Sequence, residues 1–173
     1  MKLYFIRHTA VDVPKSVCYG QTDVPLKDSF ESEAEIVKQN LGRIAFDAVF
    51  SSPLSRCVRL AAYCGYENPK LYDRLKELNF GDWEMQEWDK ISGADQWFDD
   101  WLNTPTKNGE SFMQMYNRLV SFLEEIKKED YRNVAVFAHG GIISCAKVYF
   151  GKATFNKVFD NMAAYGEIFE FEL

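Results

Sequence analysis

The sequence predicts an α/β fold of the three-layer αβα sandwich type, with a mostly parallel sheet and an antiparallel edge strand. Short apolar runs of strand length alternate with amphipathic helical segments along the chain. Such alternation is typical of a parallel sheet that helices cover on both faces. The length of 173 residues suits one core. Because no linker, repeat or low-complexity segment interrupts the pattern, we expect a single domain over residues 1–173.

The first third of the chain gives two strands and two helices. We expect a strand over residues 2–6, a loop over 9–27 and a helix over 28–41, whose apolar residues recur at helical spacing. A second strand follows at 46–50. Ser51-Ser52-Pro53 then predicts the start of a second helix, because serine is a preferred cap and proline suits the first helical position.

The remaining regular elements also alternate. We expect a short strand at 70–72 and an amphipathic helix from 112 to 126. A buried strand at 134–138 and a helix at 142–150 come next. Residues 167–173 alternate between apolar and acidic side chains, which is typical of a strand with one exposed face. This last strand is therefore the expected antiparallel edge.

Residues 80–111, between the short strand and the amphipathic helix, form an irregular helical insert that is rich in tryptophan. Aromatic side chains could stack on a planar ligand, but we expect most of these to pack the insert onto the sheet. Phe98 and Trp101 have helical spacing, which predicts that both lie in the core. The crowded aromatic residues are Trp83, Trp88, Trp97, Phe98 and Trp101.

Composition and charge exclude several classes of protein. The net charge of −6 argues against a nucleic-acid binder, which is usually basic, and an anionic substrate would need a local cluster of cations. No apolar stretch approaches the roughly 20 residues that span a membrane, and we see no export signal. The four cysteines lack metal or disulfide spacing, so we expect reduced thiols in a cytoplasmic protein. The oligomeric state stays open, a homodimer included.

The only two histidines follow two predicted strands. His8 comes after Arg7 at the end of the first strand, and His139 ends the strand at 134–138. Ligands of open α/β sheets bind beyond the carboxyl ends of the strands. Neutral imidazole is a good nucleophile, and arginine offers a fork for phosphate oxygens. Gly140 would let the backbone approach a ligand and leads into a helix whose N–H groups favour anions.

Two further charged residues fit the same chemistry. Arg56 lies in the first turn of the second predicted helix, where a cation opposes the helix dipole, so an anion is expected to bind beside it. Glu77 is flanked by apolar residues, and a partly desolvated carboxyl can act as a general acid. The sequence does not choose Glu77 over Asp82 or Glu84.

Four segments together resemble the histidine phosphatase superfamily, which has the phosphoglycerate-mutase-like fold. They are Arg7-His8, Ser51-Ser52-Pro53-Leu54-x-Arg56, Leu75-x-Glu77-x-x-Phe80-Gly81-x-Trp83-Glu84 and His139-Gly140. The resemblance implies that His8 is the phosphorylated nucleophile and that Glu77 donates a proton to the leaving alcohol and then activates water. It implies that Arg7, Arg56 and His139 hold the phosphoryl oxygens, without a metal or other cofactor.

The first loop departs from the pattern of this superfamily. Thr9 stands where glycine is usual, although its hydroxyl can still donate to phosphate, and Ala10-Val11 replaces the usual Glu-Thr. The resemblance also puts Gln21 and Thr22 beside the phosphate.

Three segments resemble those of a subgroup of the superfamily, the α-ribazole-5′-phosphate phosphatases. The resemblance implies a small phosphorylated metabolite as partner and a role in assembling the nucleotide loop of cobalamin. A broad sugar phosphatase, a phosphoglycerate mutase and a non-catalytic domain that binds phosphorylated ligands stay as alternatives. The sequence lacks the Cys-x5-Arg motif of cysteine phosphatases, the P-loop of kinases and the local histidine pairs of zinc hydrolases, which argues against these three classes. The segments are Cys18-Tyr19-Gly20-Gln21-Thr22-Asp23-Val24-Pro25-Leu26, Phe80-Gly81-Asp82-Trp83-Glu84-Met85 and Pro105-x-x-x-Gly109-Glu110-Ser111-Phe112.

Overall fold

The central sheet has five strands in a computed structural model that describes all residues 1–173. The strands are β1 (Lys2–Arg7), β2 (Ala48–Ser51), β3 (Lys70–Leu71), β4 (Asn133–Ala138) and β5 (Ile168–Glu172). Their order across the sheet is β3-β2-β4-β1-β5. All neighbours are parallel except β5, which runs antiparallel to β1 at the edge. The predicted mostly parallel sheet with an antiparallel edge strand is therefore confirmed.

Helices cover both faces of this sheet. They are α1 (Phe30–Leu41), α2 (Ser55–Tyr63), α3 (Ala94–Asp99), α4 (Phe112–Ile126) and α5 (Gly140–Tyr149). Helices α1 and α2 pack on one face, and α4 and α5 pack on the other. Helix α4 begins with a capping box, in which Ser111 and Gln114 each accept a hydrogen bond from the other's backbone N–H.

Alternation along the buried strands divides the core into two parts. Leu3 and Phe5 of β1 face α4 and α5, whereas Tyr4 and Ile6 face α1 and α2. Strand β4 divides its side chains in the same way. Because both faces are covered, the central strands are apolar throughout, and only their ends carry polar groups.

The second strand and the second helix start later than the sequence predicts. The Asp47 carboxylate accepts the N–H groups of Arg132 and Asn133, and the strand begins only at Ala48. Ser51 belongs to the strand, and α2 begins at Ser55 without a serine cap. The predicted Ser-Ser-Pro helix start is wrong. The Ser51 hydroxyl donates to the Ser52 carbonyl, and the Ser52 hydroxyl bonds to His139 and accepts the N–H of Leu54, so neither serine caps the first turn of α2.

The insert at 80–111 consists of short 3₁₀ turns and α3. Ala94 and Trp97 form the buried side of α3, and the Trp97 indole N–H donates to the Thr104 carbonyl. Phe98 follows Trp97 and points outward with 52% of its surface exposed, so its predicted core position is wrong. Trp101 is partly buried and packs on the main core against Phe112. Neighbouring residues of a helix lie about 100° apart, so Phe98 does not share the buried side of Trp97, and α3 ends at Asp99, before Trp101.

Candidate active site

His8 lies directly beyond β1 and is almost fully buried. Its Nδ1 is 2.7 Å from the Thr9 carbonyl oxygen. Since a carbonyl only accepts, Nδ1 carries the proton and Nε2 keeps its lone pair in the neutral ring. Burial, with the positive charge of Arg56, holds the pKa of His8 well below 6.5. The ring is therefore neutral at pH 7 and offers an unprotonated nitrogen.

His139 lies at the carboxyl end of β4, with its ring centroid 5.2 Å from that of His8. Its Nδ1 accepts from Arg56 Nε at 3.2 Å, and its Nε2 is 2.8 Å from the Ser52 hydroxyl. Burial and the nearby Arg56 lower the pKa of His139 well below its usual value. The structure thus brings the two histidines together, with both His139 nitrogens bonded within the protein.

Arg56 is fully buried near the start of α2. Besides the bond to His139, it donates to the carbonyls of Gly20 at 2.5 Å and Thr22 at 3.0 Å. It forms no ion pair. The N-terminus of α2 has its own anion, because Asp23 accepts the first N–H of the helix at 3.0 Å. Neutral acceptors alone hold this guanidinium, so no carboxylate of the protein offsets its positive charge.

Arg7 provides a second guanidinium without a carboxylate partner. It donates to the Ala163 carbonyl, and the Tyr165 ring lies 4.1 Å from its central carbon. Its Nε is buried without a hydrogen-bond partner, and so is the Thr9 hydroxyl. These are the two orphaned buried side-chain atoms of the protein, and they belong to the residues on either side of His8. Buried donors are normally satisfied, so an acceptor is expected there.

The structure separates the three candidate acids. Asp82 is bonded to Asn108 at 2.9 Å and Lys107 at 3.1 Å on the surface. Glu84 holds the first loop by accepting the N–H groups of residues 21 and 22. Glu77 lines the cleft at the site, where its carboxylate accepts the N–H of Gly141 at 3.1 Å. Only Glu77 therefore faces the start of α5 beside the histidines.

The other predicted phosphate-binding residues, Gln21, Thr22 and Gly140, contact groups of the protein. Gln21 Nε2 donates to the Glu77 carbonyl at 3.0 Å, and the Thr22 hydroxyl donates to the Glu84 carboxylate. Gly140 begins α5, and a Cβ there would lie 3.2 Å from the Arg7 guanidinium carbon. Because glycine has no Cβ, the Arg7 guanidinium can lie close to the backbone of Gly140.

Two tyrosines at this site were missed by the sequence reasoning. The Tyr165 ring lies 5.6 Å from that of His8, and its hydroxyl is 3.1 Å from the Tyr19 hydroxyl. Tyr19 in turn lies 5.7 Å from the Arg56 guanidinium. The role of Ser52 was missed as well, because the sequence predicts it at a helix start, whereas its hydroxyl bonds to His139. No periodicity marks these loop residues, and Tyr165 comes near His8 only through the pairing of β5 with β1.

A cleft of about 450 Å³ is lined by Arg7 and Glu77, whereas the buried His8, Arg56 and His139 are not among its lining residues. Its walls are mostly apolar and include Tyr19, Phe80, Trp88 and Tyr165, while Glu77 and Arg7 contribute charge. A larger cavity of about 620 Å³ lies between α5 and β5 and contains none of the predicted site residues. The chemistry of the side chains, rather than the cavity size, therefore identifies the 450 Å³ cleft as the candidate site.

Two further features are absent from the structure. No three histidine, cysteine or acidic side chains lie close enough to form a metal site. None of the helices has both the length and the apolar character that crossing a membrane requires.

Comparisons with known proteins give a matching family model, related sequences and similar solved structures. The family model of the histidine phosphatase superfamily (branch 1) matches residues 3–172. Adenosylcobalamin/α-ribazole phosphatase of Salmonella typhimurium is 28% identical over 154 residues, which cover 83% of this chain and 76% of the relative. Phosphoserine phosphatase 1 of Hydrogenobacter thermophilus is 30% identical over 150 residues, covering 80% and 71%. The α-ribazole phosphatase structure from Shigella flexneri superimposes with a TM-score of 0.89 at 22% identity, covering 100% and 91%.

Proposed function

Because the chain belongs to the histidine phosphatase superfamily, we propose that it is a metal-independent phosphomonoesterase that works through a phosphohistidine at His8. The observation that carries this proposal is a neutral His8 beside two guanidinium groups that lack carboxylate partners. The orphaned Arg7 Nε supports an anion at this place. Phosphoryl transfer needs in-line placement and neutralised oxygens, and the two guanidinium groups would supply the neutralisation.

In the first step, His8 Nε2 attacks phosphorus and forms an N–P bond while the bond to the leaving oxygen breaks. Glu77 gives its proton to the departing alkoxide. Arg7 and Arg56 take up the charge on the phosphoryl oxygens. The resemblance places His139 on those oxygens as well, but both of its ring nitrogens are bonded within the protein, so we assign it the role of holding Arg56 in place. Thr9 offers a further donor.

In the second step, water attacks phosphorus and Glu77 accepts a proton from it. The N–P bond breaks and inorganic phosphate leaves. Splitting one displacement into two lowers each barrier, and protonation of the leaving group typically contributes roughly 10²–10⁴-fold. Gln21 and Thr22 support the first loop around this pocket through their bonds to the Glu77 backbone and Glu84.

We propose α-ribazole 5′-phosphate as the substrate, with a role in assembling the nucleotide loop of cobalamin. Relatives with that named activity support this choice. The aromatic walls of the cleft also support it, since Tyr19, Trp88 and Tyr165 suit a planar base. The phosphoserine phosphatase among the relatives makes phosphoserine the first competitor to test.

The test has two parts. Enzyme quenched during turnover should carry an acid-labile, base-stable phosphate, and His8→Ala should abolish both that phosphate and turnover, while a chelator leaves the wild-type rate unchanged. Full activity of His8→Ala would refute the mechanism. In a panel of α-ribazole 5′-phosphate, phosphoserine, 3-phosphoglycerate and fructose bisphosphate, we expect the highest kcat/KM for the first. A higher kcat/KM for another member would replace the substrate and leave the mechanism standing.

A further inference from the structure

The chain around Glu77 is held mainly by side chains from other parts of the protein. Residues 76–80 lie between two 3₁₀ turns, Asp73–Leu75 and Gly81–Trp83, outside the sheet. The Glu77 carbonyl accepts from Gln21 at 3.0 Å and from Arg118 Nη2 at 2.9 Å. The position of the Glu77 backbone therefore depends on groups far away in the sequence.

Arg118 of α4 reaches two carbonyls of this segment. Its Nη1 donates to the Arg74 carbonyl at 2.7 Å, and its Nη2 donates to that of Glu77. The same guanidinium forms a two-pronged pair with Glu110, at 2.7 Å and 3.1 Å. Such a fork fixes direction as well as distance. Arg118 and Glu110 are largely buried, with 18% and 14% of their side chains exposed.

Glu110 holds the other side of Glu77. Its Oε1 accepts the N–H of Asn79 at 2.9 Å, and its own N–H donates to the Asn79 carbonyl at 2.9 Å. Bonds from one ion pair thus reach residues 74 and 77 on the one side and residue 79 on the other. The pair is therefore hydrogen-bonded to the backbone on both sides of the Glu77 side chain.

The carboxylate of Glu77 has little freedom to compensate for a backbone shift. It accepts the N–H of Leu78 at 2.9 Å and that of Gly141 at 3.1 Å. A Cβ built on Gly141 would lie only 2.2 Å from Glu77 Oε1, so the carboxylate rests against the backbone of α5. A catalytic group misplaced by 1 Å can lose about 10²-fold in rate.

We propose that Arg118 and Glu110 are positioning residues that set the Glu77 carboxyl for proton transfer to the leaving group. The proposal rests on the proposed function, in which Glu77 is the proton donor. It differs from a merely stabilising ion pair in one measurable respect. A positioning pair acts only on steps that need the Glu77 proton, whereas a stabilising pair affects all substrates alike.

The test compares two esters with different leaving groups. Glycerol 1-phosphate releases a poor leaving alkoxide that needs a proton, and p-nitrophenyl phosphate releases a stable phenolate that does not. Rapid-quench measurements follow the single-turnover phosphorylation of His8, which keeps the hydrolysis step out of the result. The variants are Arg118→Met, Arg118→Lys and Glu110→Gln, and Glu77→Gln is the reference.

Arg74→Met is the matched control. Its side chain also joins this segment to α4, through Ser121 and Glu125, but donates no bond to residues 77–79. We expect Arg118→Met and Glu110→Gln to slow phosphorylation by glycerol 1-phosphate roughly 10- to 100-fold and by p-nitrophenyl phosphate less than about 3-fold. Arg118→Lys keeps the charge without the fork, so its rate with glycerol 1-phosphate should lie between those of the wild type and Arg118→Met. Arg74→Met should leave both rates unchanged.

A double variant completes the design. In the Glu77→Gln background, Arg118→Met should cause no further loss with glycerol 1-phosphate, since the group it positions is already gone. Equal losses with both esters, or a full additional loss in the double variant, would overturn the proposal while leaving Glu77 as proton donor. If Glu77→Gln itself slows both esters equally, the role of Glu77 in the proposed function fails, and the positioning role fails with it. Should Arg118→Met not fold, Arg118→Lys and Glu110→Gln carry the same comparison.

Discussion

Replacing Gly141 by alanine should disable the proton donor without disturbing the phosphate pocket. The added Cβ would lie 2.2 Å from Glu77 Oε1, where ordinary contact begins at 3.4 Å. The carboxylate must therefore move by about 1.2 Å, a misplacement that costs on the order of 10²-fold, or about 2.7 kcal/mol of transition-state stabilisation. We expect this loss in the phosphorylation of His8 by an alkyl phosphate.

Stability should not obscure the result. Gly141 lies in the first turn of α5, and alanine favours a helix over glycine by about 0.8–1 kcal/mol. This gain offsets part of the strain, so the urea midpoint should change little. The assay is single-turnover phosphorylation by glycerol 1-phosphate and by p-nitrophenyl phosphate, and only the first rate should fall by the full factor.

Gly140→Ala is the comparison variant. Its Cβ would meet Arg7 and Met162 at 3.2 Å, a contact that shifts of a few tenths of an ångström relieve. We expect losses below about 10-fold that are equal for the two esters, since phosphate binding serves both. Wild-type rates for Gly141→Ala with the alkyl ester, or an equal loss with both esters, would show that Glu77 does not act from its position against Gly141.

Other predictions concern stability. Burial lowers the pKa of His8 and His139 below 6.5, so the unfolded chain binds more protons below that pH, and the free energy of unfolding should fall as the pH drops below 6.5. The free energy of unfolding should change by up to about 1.4 kcal/mol per pH unit for each histidine. Urea titrations at several pH values should show a smaller change per pH unit for His139→Asn, and an unchanged pH dependence would contradict the buried neutral ring. Trp97→Ala should lower the free energy of unfolding by about 3–5 kcal/mol, whereas Phe98→Ser should change it by no more than about 0.5 kcal/mol. Similar urea midpoints for the two variants would contradict the orientation of α3. Asp23→Ala removes the acceptor at the start of α2 and should lower the free energy of unfolding by about 0.5–2 kcal/mol. An unchanged urea midpoint would show that water replaces the Asp23 carboxylate.

The sheet was predictable because its signals are local. Buried parallel strands must be apolar runs, and the runs at 2–6 and 134–138 are interrupted only where the chain leaves the sheet. Element boundaries were less predictable where a side chain had a distant partner. The Ser52 hydroxyl bonds to His139, 87 residues away, and this bond cannot be inferred from the residues next to Ser52.

The candidate site was predictable in part for the same reason. His8 and His139 follow adjacent strands, and the carboxyl ends of parallel strands share one edge, so their proximity follows from topology. The choice of Glu77 over Asp82 and Glu84 did not follow, because all three acids lie in one irregular segment. Which carboxylate enters the cleft depends on the bonds from Arg118 and Gln21.

The sequence by itself determined the alternation of strands and helices and the two histidines at strand ends, because periodicity and chain order are written along the chain. Only the tertiary structure decided that Tyr165 covers Arg7, that Arg56 is buried without a carboxylate partner and that Glu77 faces α5. Those facts depend on contacts between segments tens of residues apart. Hydrogen bonds of single side chains make such contacts, and a single side chain leaves no repeating pattern in the sequence.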